Sequence, residues 1–345
     1  MAHLTSLQRV TTMWNRRQWL QTSLARTTLA ATGGLGAAGG WLAGGAPPVL
    51  AQGPAVRGPV AHRPAKLQSG FSLYGVTDLP LPKALAFIAE CGFGGVELPL
   101  MPGGLFDPQR LTAADRTLIR AQLEAESLDL QAVMENLPTF DQRLAPTEEE
   151  RRLRHAIQLS RDVSPDSRPL VETILGGKPG EWQRLQSFAI DQLARWERLA
   201  RAEDAIIAIK PHIAHALQHP DDIREVFRQI ASPHLRLAFD YAHLERQQIP
   251  IEAAVRTLAP YAVFVHLKDN IQTEKGWQFA LPGQGTTDYP RLLVALKEAG
   301  YRGPICVEVS SQVFSKPGFN SKEAIASSWT ALRPAFEKAG IIAVA

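Results

Sequence analysis

Polar residues stand at the ends of four short apolar segments in the second half of the chain. A buried carboxylate or ammonium group costs several kcal/mol unless it is paired with an opposite charge or bound to a metal ion. Segments that each present such a group are therefore expected to bring them to a shared site. The four segment ends read Lys210-Pro211-His212, Asp240-x-x-His243, His266-x-Lys268-Asp269 and Glu308-x-Ser310.

The residue types in these segments point to metal binding or proton transfer. Asp240, His266 and Glu308 offer carboxylate oxygens and an imidazole nitrogen, which are ligands for Mn²⁺, Mg²⁺, Co²⁺ or Zn²⁺. Such a site leaves coordination positions open for the hydroxyl groups of a substrate. A lysine, glutamate or histidine beside it could act as a general acid or base.

These segments belong to a repeating pattern of strands and helices. Short apolar or β-branched runs alternate with longer stretches of helical period, which is typical of βα units and a parallel sheet. Eight such pairs within residues 70–340 predict a single (β/α)8 TIM barrel, in which catalytic groups lie at the carboxyl ends of the strands. An open sheet that binds a dinucleotide would show a glycine-rich loop after its first strand, and no GxGxxG follows Val76. The predicted strands are 71–76, 94–100, 128–136, 170–175, 205–212, 235–240, 262–268 and 304–309.

Four motifs in this order resemble those of the xylose-isomerase-like superfamily, which includes sugar phosphate isomerases and epimerases. They are Asp240-x-x-His243, His266-x-Lys268-Asp269, Pro282-Gly283-x-Gly285 and Gly303-Pro304-x-x-x-Glu308. The resemblance implies that Asp240, His266 and Glu308 hold a divalent metal ion. It also implies that His243 contacts the substrate, and that Lys268 and Asp269 brace the site.

One ligand that the resemblance implies is missing. The superfamily has a metal-binding glutamate at the end of the fifth strand, where this chain has Lys210, and a protonated ammonium group cannot ligate a metal. In the preferred hypothesis a metal remains, His212 or water completes its shell, and Lys210 turns towards the substrate as an acid or base. In a second hypothesis the ammonium group replaces the metal, pairs with Asp240 and Glu308 and polarises a carbonyl group. In a third, the barrel binds a ligand without catalysis.

Three further residues could contribute to the same rim of the barrel. Glu97 in the second strand and Glu135 at the end of the third could act at the site or could only stabilise the barrel. Trp277 follows the seventh strand and could either stack on a sugar ring or pack in the core.

A twin arginine precedes a weakly hydrophobic, Ala- and Gly-rich stretch at the N-terminus. Asn15-Arg16-Arg17-Gln18 begins this region, Val49-Leu50-Ala51 ends it with a small-residue cleavage pattern, and the whole resembles a Tat signal peptide. We expect a signal peptide over residues 1–51 and a linker over residues 52–69. The Tat machinery would then export the folded protein to the periplasm or the cell exterior, with no stable membrane anchor after cleavage.

The composition restricts the partners. Hydrophobic residues make up 45% and charged residues 21% of the chain, as in a globular protein. A net charge of +3, with Lys and Arg scattered among Asp and Glu, gives no basic patch, so no nucleic-acid partner is expected. An endonuclease IV-like activity is disfavoured, because it needs histidines on early strands and the first three predicted strands contain none. Cys91 and Cys306 are expected to be buried thiols, although an oxidising compartment would permit one bridge.

Together these features predict an exported enzyme that acts on a free or oxidised sugar or a cyclic polyol. As an isomerase or epimerase it would use metal-assisted proton transfer next to a carbonyl group, through an enediolate. One alternative is a β-eliminating lyase or dehydratase on a keto-sugar or keto-glycoside, and another is a non-catalytic carbohydrate-binding barrel. Lys210, Glu308 and Glu135 are the candidates for moving protons. Substrate contacts are expected from His243, His212, Lys268, Glu97 and Trp277.

Overall fold

The protein folds as a closed barrel of parallel strands inside a layer of helices. A computed structural model describes residues 67–141, 144–274 and 276–340, so the predicted signal peptide and most of the predicted linker lie outside the described residues. The barrel strands are β1 (Ser69–Ser72), β2 (Gly95–Pro99), β3 (Asp129–Met134), β4 (Leu170–Thr173), β5 (Ile206–Ile209), β6 (Leu235–Asp240), β7 (Ala262–Leu267) and β10 (Ile305–Val307). The helices are α1 (Leu81–Cys91), α2 (Ala113–Ala125), α3 (Pro146–Val163), α4 (Trp182–Ala202), α5 (Pro220–Gln229), α6 (Tyr241–Glu245), α7 (Ile251–Leu258), α8 (Tyr289–Glu298), α9 (Ser311–Phe314) and α10 (Ser321–Ala339).

The strand pairing confirms the predicted TIM barrel. Each barrel strand pairs in parallel with the next along the chain, and β10 pairs with both β7 and β1 to close the ring. Several strands are shorter than predicted, because the chain turns at their carboxyl ends. The first strand, for example, ends at Ser72, whose hydroxyl group accepts a hydrogen bond from the backbone of Tyr74 and starts a 3-10 helix.

The segment after β7 contains two strands that the sequence did not predict. Strands β8 (Asp269–Thr273) and β9 (Gly276–Ala280) form an antiparallel hairpin beside the barrel mouth. The hairpin was missed because its residues Asp269-Asn270-Ile271-Gln272 carry little of the apolar alternation that marks a strand.

The interior of the barrel contains an apolar layer. Side chains on a strand alternate between its two faces, so one residue from each of several strands points towards the barrel axis at the same height. This apolar layer consists of Ala132, Leu170, Ala208, Ala238, Phe264 and Cys306.

Local signals begin the helices that hold the strands in place. Helix α2 starts with a capping box, in which the hydroxyl group of Thr112 accepts from the backbone of Asp115 and the Asp115 carboxylate accepts in return. Helices α1, α3 and α5 have a proline in their first turn, where no backbone donor is needed. Cys91 and Cys306 are free thiols. Within the described ranges, no helix is both long enough and apolar enough to cross a membrane.

Candidate active site

A layer of charged residues lies above the apolar layer, towards the carboxyl ends of the strands. Five of its members stand two positions after an apolar-layer residue, on the same strand or directly after its last residue, and because side chains alternate they too point to the barrel axis. All members are buried. This charged cluster consists of Glu97, Glu172, Lys210, Asp240, His266, Lys268 and Glu308.

Lys210 lies at the centre of the charged cluster. Its Nζ is 2.9 Å from Oε1 of Glu308, 3.2 Å from Oε1 of Glu172 and 3.3 Å from Nδ1 of His266. The backbone of Lys210 continues the β5 pairing, since its N–H donates to the carbonyl of Thr173 at 2.7 Å. The ammonium group therefore lies among the carboxylates of the cluster. The acid or base role that the preferred hypothesis gave to Lys210 stays a prediction.

Lys268 forms the second cation of the cluster. Its Nζ is 2.6 Å from Oδ2 of Asp240 and also donates to Oε2 of Glu308. It lies 5.0 Å from the centre of the Phe279 ring, within the range of a cation–π contact. Glu308 is thus held between two ammonium groups, one on each carboxylate oxygen. The predicted pairing of Lys210 with Glu308 is found, but Asp240 pairs with Lys268 instead.

His266 is oriented from across the barrel. Its Nε2 is 3.1 Å from Oε2 of Glu97, and that same oxygen accepts a hydrogen bond of 2.6 Å from the hydroxyl group of Ser72. Burial alone would lower the pKa of His266, but the carboxylates of Glu97 and Glu308 together raise that pKa above its ordinary value. Glu97 is fully buried and positions His266, and the substrate contact predicted for it stays a prediction.

Asp240 and His243 are placed together by the start of α6. Oδ1 of Asp240 accepts from the backbone N–H of Ala242 at 3.2 Å and caps the helix, which brings His243 Nε2 to 3.3 Å from Oδ2 of Asp240. Burial lowers the pKa of His243 to about 4, so the ring is neutral at neutral pH. Since Nδ1 accepts from the backbone of Ile213, the proton of the neutral ring lies on Nε2, facing Asp240.

An aromatic wall borders the cluster on this side. The rings of His212 and His243 are 4.0 Å apart between centres, and Phe279 packs edge-on against His243 at 5.2 Å. His212 does not approach the proposed metal ligands as a further ligand. Its Nδ1 accepts from the backbone of Ala214 at 3.0 Å.

The charges of the cluster largely balance one another. Burial favours neutral carboxyl groups, but Lys210 and Lys268 hold the pKa of Glu308 well below its usual range, and Lys268 does the same for Asp240. At Glu172 burial prevails over Lys210 and raises the pKa to about 7. Lys210 is itself surrounded by carboxylates, and although burial opposes it, they raise its pKa well above the ordinary value.

The described residues include possible metal ligands. Ligand atoms of Asp240, His266 and Glu308 all lie within 4.8 Å of one another, and those of Glu97, His266 and Cys306 do the same. These groups have the chemistry that the sequence predicted for a metal site.

The surroundings of the first group do not fit a divalent ion. An ion about 2 Å from Nδ1 of His266 would lie at most about 5 Å from Nζ of Lys210, and an ion on Asp240 would lie about as close to Lys268. A doubly and a singly charged cation at that distance repel each other by several kcal/mol even in a medium with a dielectric constant of about 20. Both inward oxygens of Glu308 already have a cationic partner.

Glu135 lies outside the charged cluster. Ala132 faces the barrel interior, so by the alternation of side chains Glu135, three positions later, faces the helices, where it pairs with Arg152 of α3. Burial outweighs that guanidinium group and raises the pKa of Glu135 to about 7. The structure therefore does not bring Glu135 to the protons of a substrate at the barrel axis, contrary to the predicted catalytic role.

The β8–β9 hairpin places Phe279, and not Trp277, against the cluster. Trp277 is half-buried, and its carbonyl group accepts from Arg246 at 3.1 Å. Arg246 also lies over the Phe279 ring at 4.8 Å. The stacking role predicted for Trp277 remains a prediction.

Two residues of the site were missed in the sequence. Glu172 interrupts the apolar run Leu170-Val171-Glu172-Thr173-Ile174-Leu175 in the same way as the residues that were recognised, so the same signal could have found it. Phe279 carried no comparable signal, because its role depends on a hairpin that the sequence pattern did not reveal.

Asp269 braces the mouth of the barrel, as the resemblance implied. Its carboxylate accepts from the backbone N–H groups of Asn270, Gly283, Gly285 and Thr287 at 2.9 to 3.1 Å. These bonds tie the Pro282-Gly283-x-Gly285 loop to the start of β8.

The sequence also matches a described protein family. The match, to the family described as xylose isomerase-like TIM barrel, extends over residues 85–335. The chain belongs to the xylose isomerase-like TIM barrel family. No curated protein is detectably similar in sequence.

Three solved structures illustrate the likeness within the xylose isomerase-like TIM barrel fold. The IOLI protein, solved with a bound zinc atom, has a TM-score of 0.64 and 14% identity over 81% of this chain and 100% of its own. The D-allulose 3-epimerase from Methylomonas sp. has a TM-score of 0.61 and 16% identity over 79% of this chain and 99% of its own. The 3-keto-D-glucoside 4-epimerase YcjR from E. coli has a TM-score of 0.58 and 14% identity over 78% of this chain and 100% of its own.

Proposed function

We propose that the protein is a sugar isomerase or epimerase that moves a proton next to a carbonyl group of a free or oxidised sugar or a cyclic polyol. The observation that carries this proposal is the position of Glu308 between the ammonium groups of Lys210 and Lys268, at the carboxyl ends of the strands. The similar D-allulose 3-epimerase and 3-keto-D-glucoside 4-epimerase support the reaction class, since their names describe inversion at a carbon of a sugar.

The residues of the cluster supply both halves of such a reaction. Glu308 accepts the proton when the carbon–hydrogen bond next to the carbonyl breaks, and the electron pair of that bond moves into an enediolate. The ammonium groups of Lys210 and Lys268 stabilise the negative oxygens of the enediolate in a site of low dielectric constant. If Glu308 returns its proton to the neighbouring carbon while the hydroxyl proton moves to the former carbonyl oxygen, the reaction is an isomerisation. An epimerisation needs a second acid, on the opposite face of the same carbon, to supply the new proton, and exchange with water then resets both groups.

The aromatic wall fits the apolar face of a sugar ring. The rings of His212, His243 and Phe279 lie beside Lys268, so a sugar that stacks on them has its hydroxyl groups directed towards the charged cluster. His243 is neutral, so its ring adds no charge beside the sugar.

Export is part of the proposal. The Arg16-Arg17 motif and the small-residue pattern ending at Ala51 favour transport through the Tat pathway to the periplasm or the cell exterior. Sugar phosphates are mainly cytoplasmic, so an exported enzyme would act on an unphosphorylated sugar. Accumulation of the processed protein outside the cytoplasm, and its loss when Arg16 and Arg17 are both replaced by lysine, would test this part separately.

Solvent deuterium exchange tests the reaction itself. The full chain is incubated in D2O with free ketoses, aldoses and 3-keto-glucosides, and proton NMR follows the signal of the hydrogen next to the carbonyl group. We expect loss of that signal with at least one substrate class, and a fall of at least about 100-fold in the exchange rate for Glu308→Gln. The matched control is Glu323→Gln, which makes the same change at an exposed position on α10.

Two outcomes would reject the isomerase or epimerase. Sugar binding detected by calorimetry, with neither deuterium exchange nor conversion of the sugar in the proton NMR spectrum, would favour the non-catalytic barrel. Exchange accompanied by a new alkene signal and a released group would instead assign the β-eliminating lyase, because the same enediolate can expel a group from the neighbouring carbon.

A further inference from the structure

We infer that the charged cluster works without a divalent metal ion, because Lys210, fixed in place by Glu172, provides its central positive charge within the chain. The inference rests on the proposed function for its chemical meaning. The positions of Lys210 and Glu172, at the ends of two neighbouring strands near the centre of the barrel, support it.

The first step is the location of the ammonium group. Nζ of Lys210 lies within 3.3 Å of Glu172, Glu308 and His266, which come from three different strands or strand ends. An ion held by Glu308 and His266 would need the space and the electron pairs that this nitrogen already uses.

Moving Lys210 out of the cluster would lower the stability of the fold. Glu172 is fully buried, and within the described part of the chain its one ion pair is that with Lys210. If Lys210 turned away to admit a metal ion, the Glu172 carboxyl group would remain buried without a cationic partner, and leaving such a group unpaired is strongly destabilising. Glu172 thus acts as the residue that holds Lys210 in the cluster.

The cluster contains a second ammonium group, that of Lys268. Lys268 bridges Asp240 and Glu308 and lies over the Phe279 ring, so its position is also fixed by several contacts. With two lysines and His266 facing four carboxylates, the negative charge that would attract a divalent ion is already largely balanced.

The metal content of the folded protein tests the inference. The full chain is dialysed against Mn²⁺, Co²⁺ or Zn²⁺, passed through a desalting column and analysed by inductively coupled plasma mass spectrometry. For the unaltered protein we expect less than about 0.1 ion per chain, and no displacement of the far-ultraviolet thermal transition by added metal.

A charge exchange at the two positions provides the contrasting variant. Lys210→Glu combined with Glu172→Gln removes the central cation and adds a carboxylate beside His266 and Glu308, so we expect this variant to retain about one ion per chain. Lys338→Glu makes the same charge change at an exposed position on α10 and is expected to retain no more metal than the unaltered protein.

Two results would overturn the inference. One is an unaltered protein that retains about one ion per chain and loses it on Asp240→Asn. The other is a folded double variant that binds no more metal than the unaltered protein. If the double variant does not fold, as judged by circular dichroism, Lys210→Met combined with Glu172→Gln replaces it, with the same expected gain of metal. Because metal content is measured without a substrate, an absence of deuterium exchange would reject the proposed function and leave this inference intact.

Discussion

Glu97 and His266 form a hydrogen bond across the barrel, between strands that are not neighbours. Oε2 of Glu97 on β2 lies 3.1 Å from Nε2 of His266 on β7, and β1 and β10 separate the two strands in the ring. The bond fixes the direction of the imidazole ring, so its other nitrogen faces Lys210 and Glu308.

Replacing Glu97 should therefore impair catalysis without preventing substrate binding. We expect Glu97→Gln to lower the exchange rate at saturating sugar by about 10- to 100-fold, because a small misplacement of a reacting group is costly, while KM changes little. Ser72→Ala, which removes one hydrogen bond to Glu97 but keeps its charge, should have a smaller effect. An exchange rate for Glu97→Gln equal to that of the unaltered protein would show that His266 does not depend on it.

Removing both members of the Lys210–Glu172 pair should destabilise the fold by less than the sum of the two single losses. Lys210→Met or Glu172→Gln alone leaves a buried charged partner, with an expected loss of about 3 to 5 kcal/mol. The double variant should be more stable than the sum of the single losses predicts, by about 1 to 3 kcal/mol. Urea unfolding of the four proteins measures this coupling, and strictly additive losses would contradict it.

The loop tied to Asp269 should not tolerate a side chain at Gly285. A Cβ atom there would overlap the backbone carbonyl oxygen of Asn270 and the carboxylate of Asp269, and a backbone atom cannot move aside as a flexible side chain can. We expect Gly285→Ala and Asp269→Ala each to lower the free energy of unfolding by about 2 kcal/mol or more. Thr286→Ala, an exposed position of the same loop, is the control and should cost less than about 1 kcal/mol.

Phe279 and Trp277 lead to different expectations for sugar binding. Phe279 contacts His243 and Lys268, so Phe279→Ala should raise KM by about 10-fold or more through the lost aromatic surface. Trp277→Ala should raise KM less. The reverse order would favour the sugar-stacking role predicted for Trp277 from the sequence.

Acidic pH should weaken the stack of histidines at the mouth. The rings of His212 and His215 are 4.4 Å apart, and burial lowers the pKa of His215 from 6.5 to about 4. Because the folded pKa lies below the unfolded one, the stabilisation is complete above pH 6.5 and is lost as the pH falls towards 4.

The unfolding midpoint in urea, measured across this pH range, tests the expectation. His215→Gln should reduce the loss of stability on acidification by about 2 kcal/mol or less, since this side chain is partly exposed. His219→Gln, at an exposed position nearby, should leave the pH dependence as it is. A pH profile of His215→Gln that matches the unaltered protein would refute the role of His215.

The barrel and the convergence of Asp240, His266 and Glu308 could be predicted from the sequence. Each of these three residues is a polar or charged residue in an apolar run. Because the strands are parallel, such residues meet at one end of the barrel. The side of the strand was harder to predict. Both Glu135 and Glu172 interrupt apolar runs, but Glu135 faces the helices and Glu172 faces the barrel axis. Side chains alternate along a strand, so an error of one position in the predicted register assigns a residue to the wrong side.

Of the partners of Lys210, Glu308 was predicted in the second hypothesis, but Glu172 was not. The sequence showed that an ammonium group stood at a site of carboxylates, but its direction depends on Glu172, which belongs to a neighbouring strand and lies far away in the chain. The hairpin that carries Phe279 depends in the same way on contacts beyond its own residues.

The apolar layer beneath the charged cluster has a consequence for the traffic of protons. The apolar layer fills the barrel axis below the cluster. The thiol of Cys306 is the one side chain in it that can form a hydrogen bond, and only a weak one, so the layer cannot readily relay protons. Its members are Ala132, Leu170, Ala208, Ala238, Phe264 and Cys306. Any proton that Glu308 or Lys210 takes up or gives off must therefore pass through the open mouth of the barrel. A bound sugar would block that route. A proton removed from the substrate would then be returned to that same molecule more often than it is exchanged for one from water.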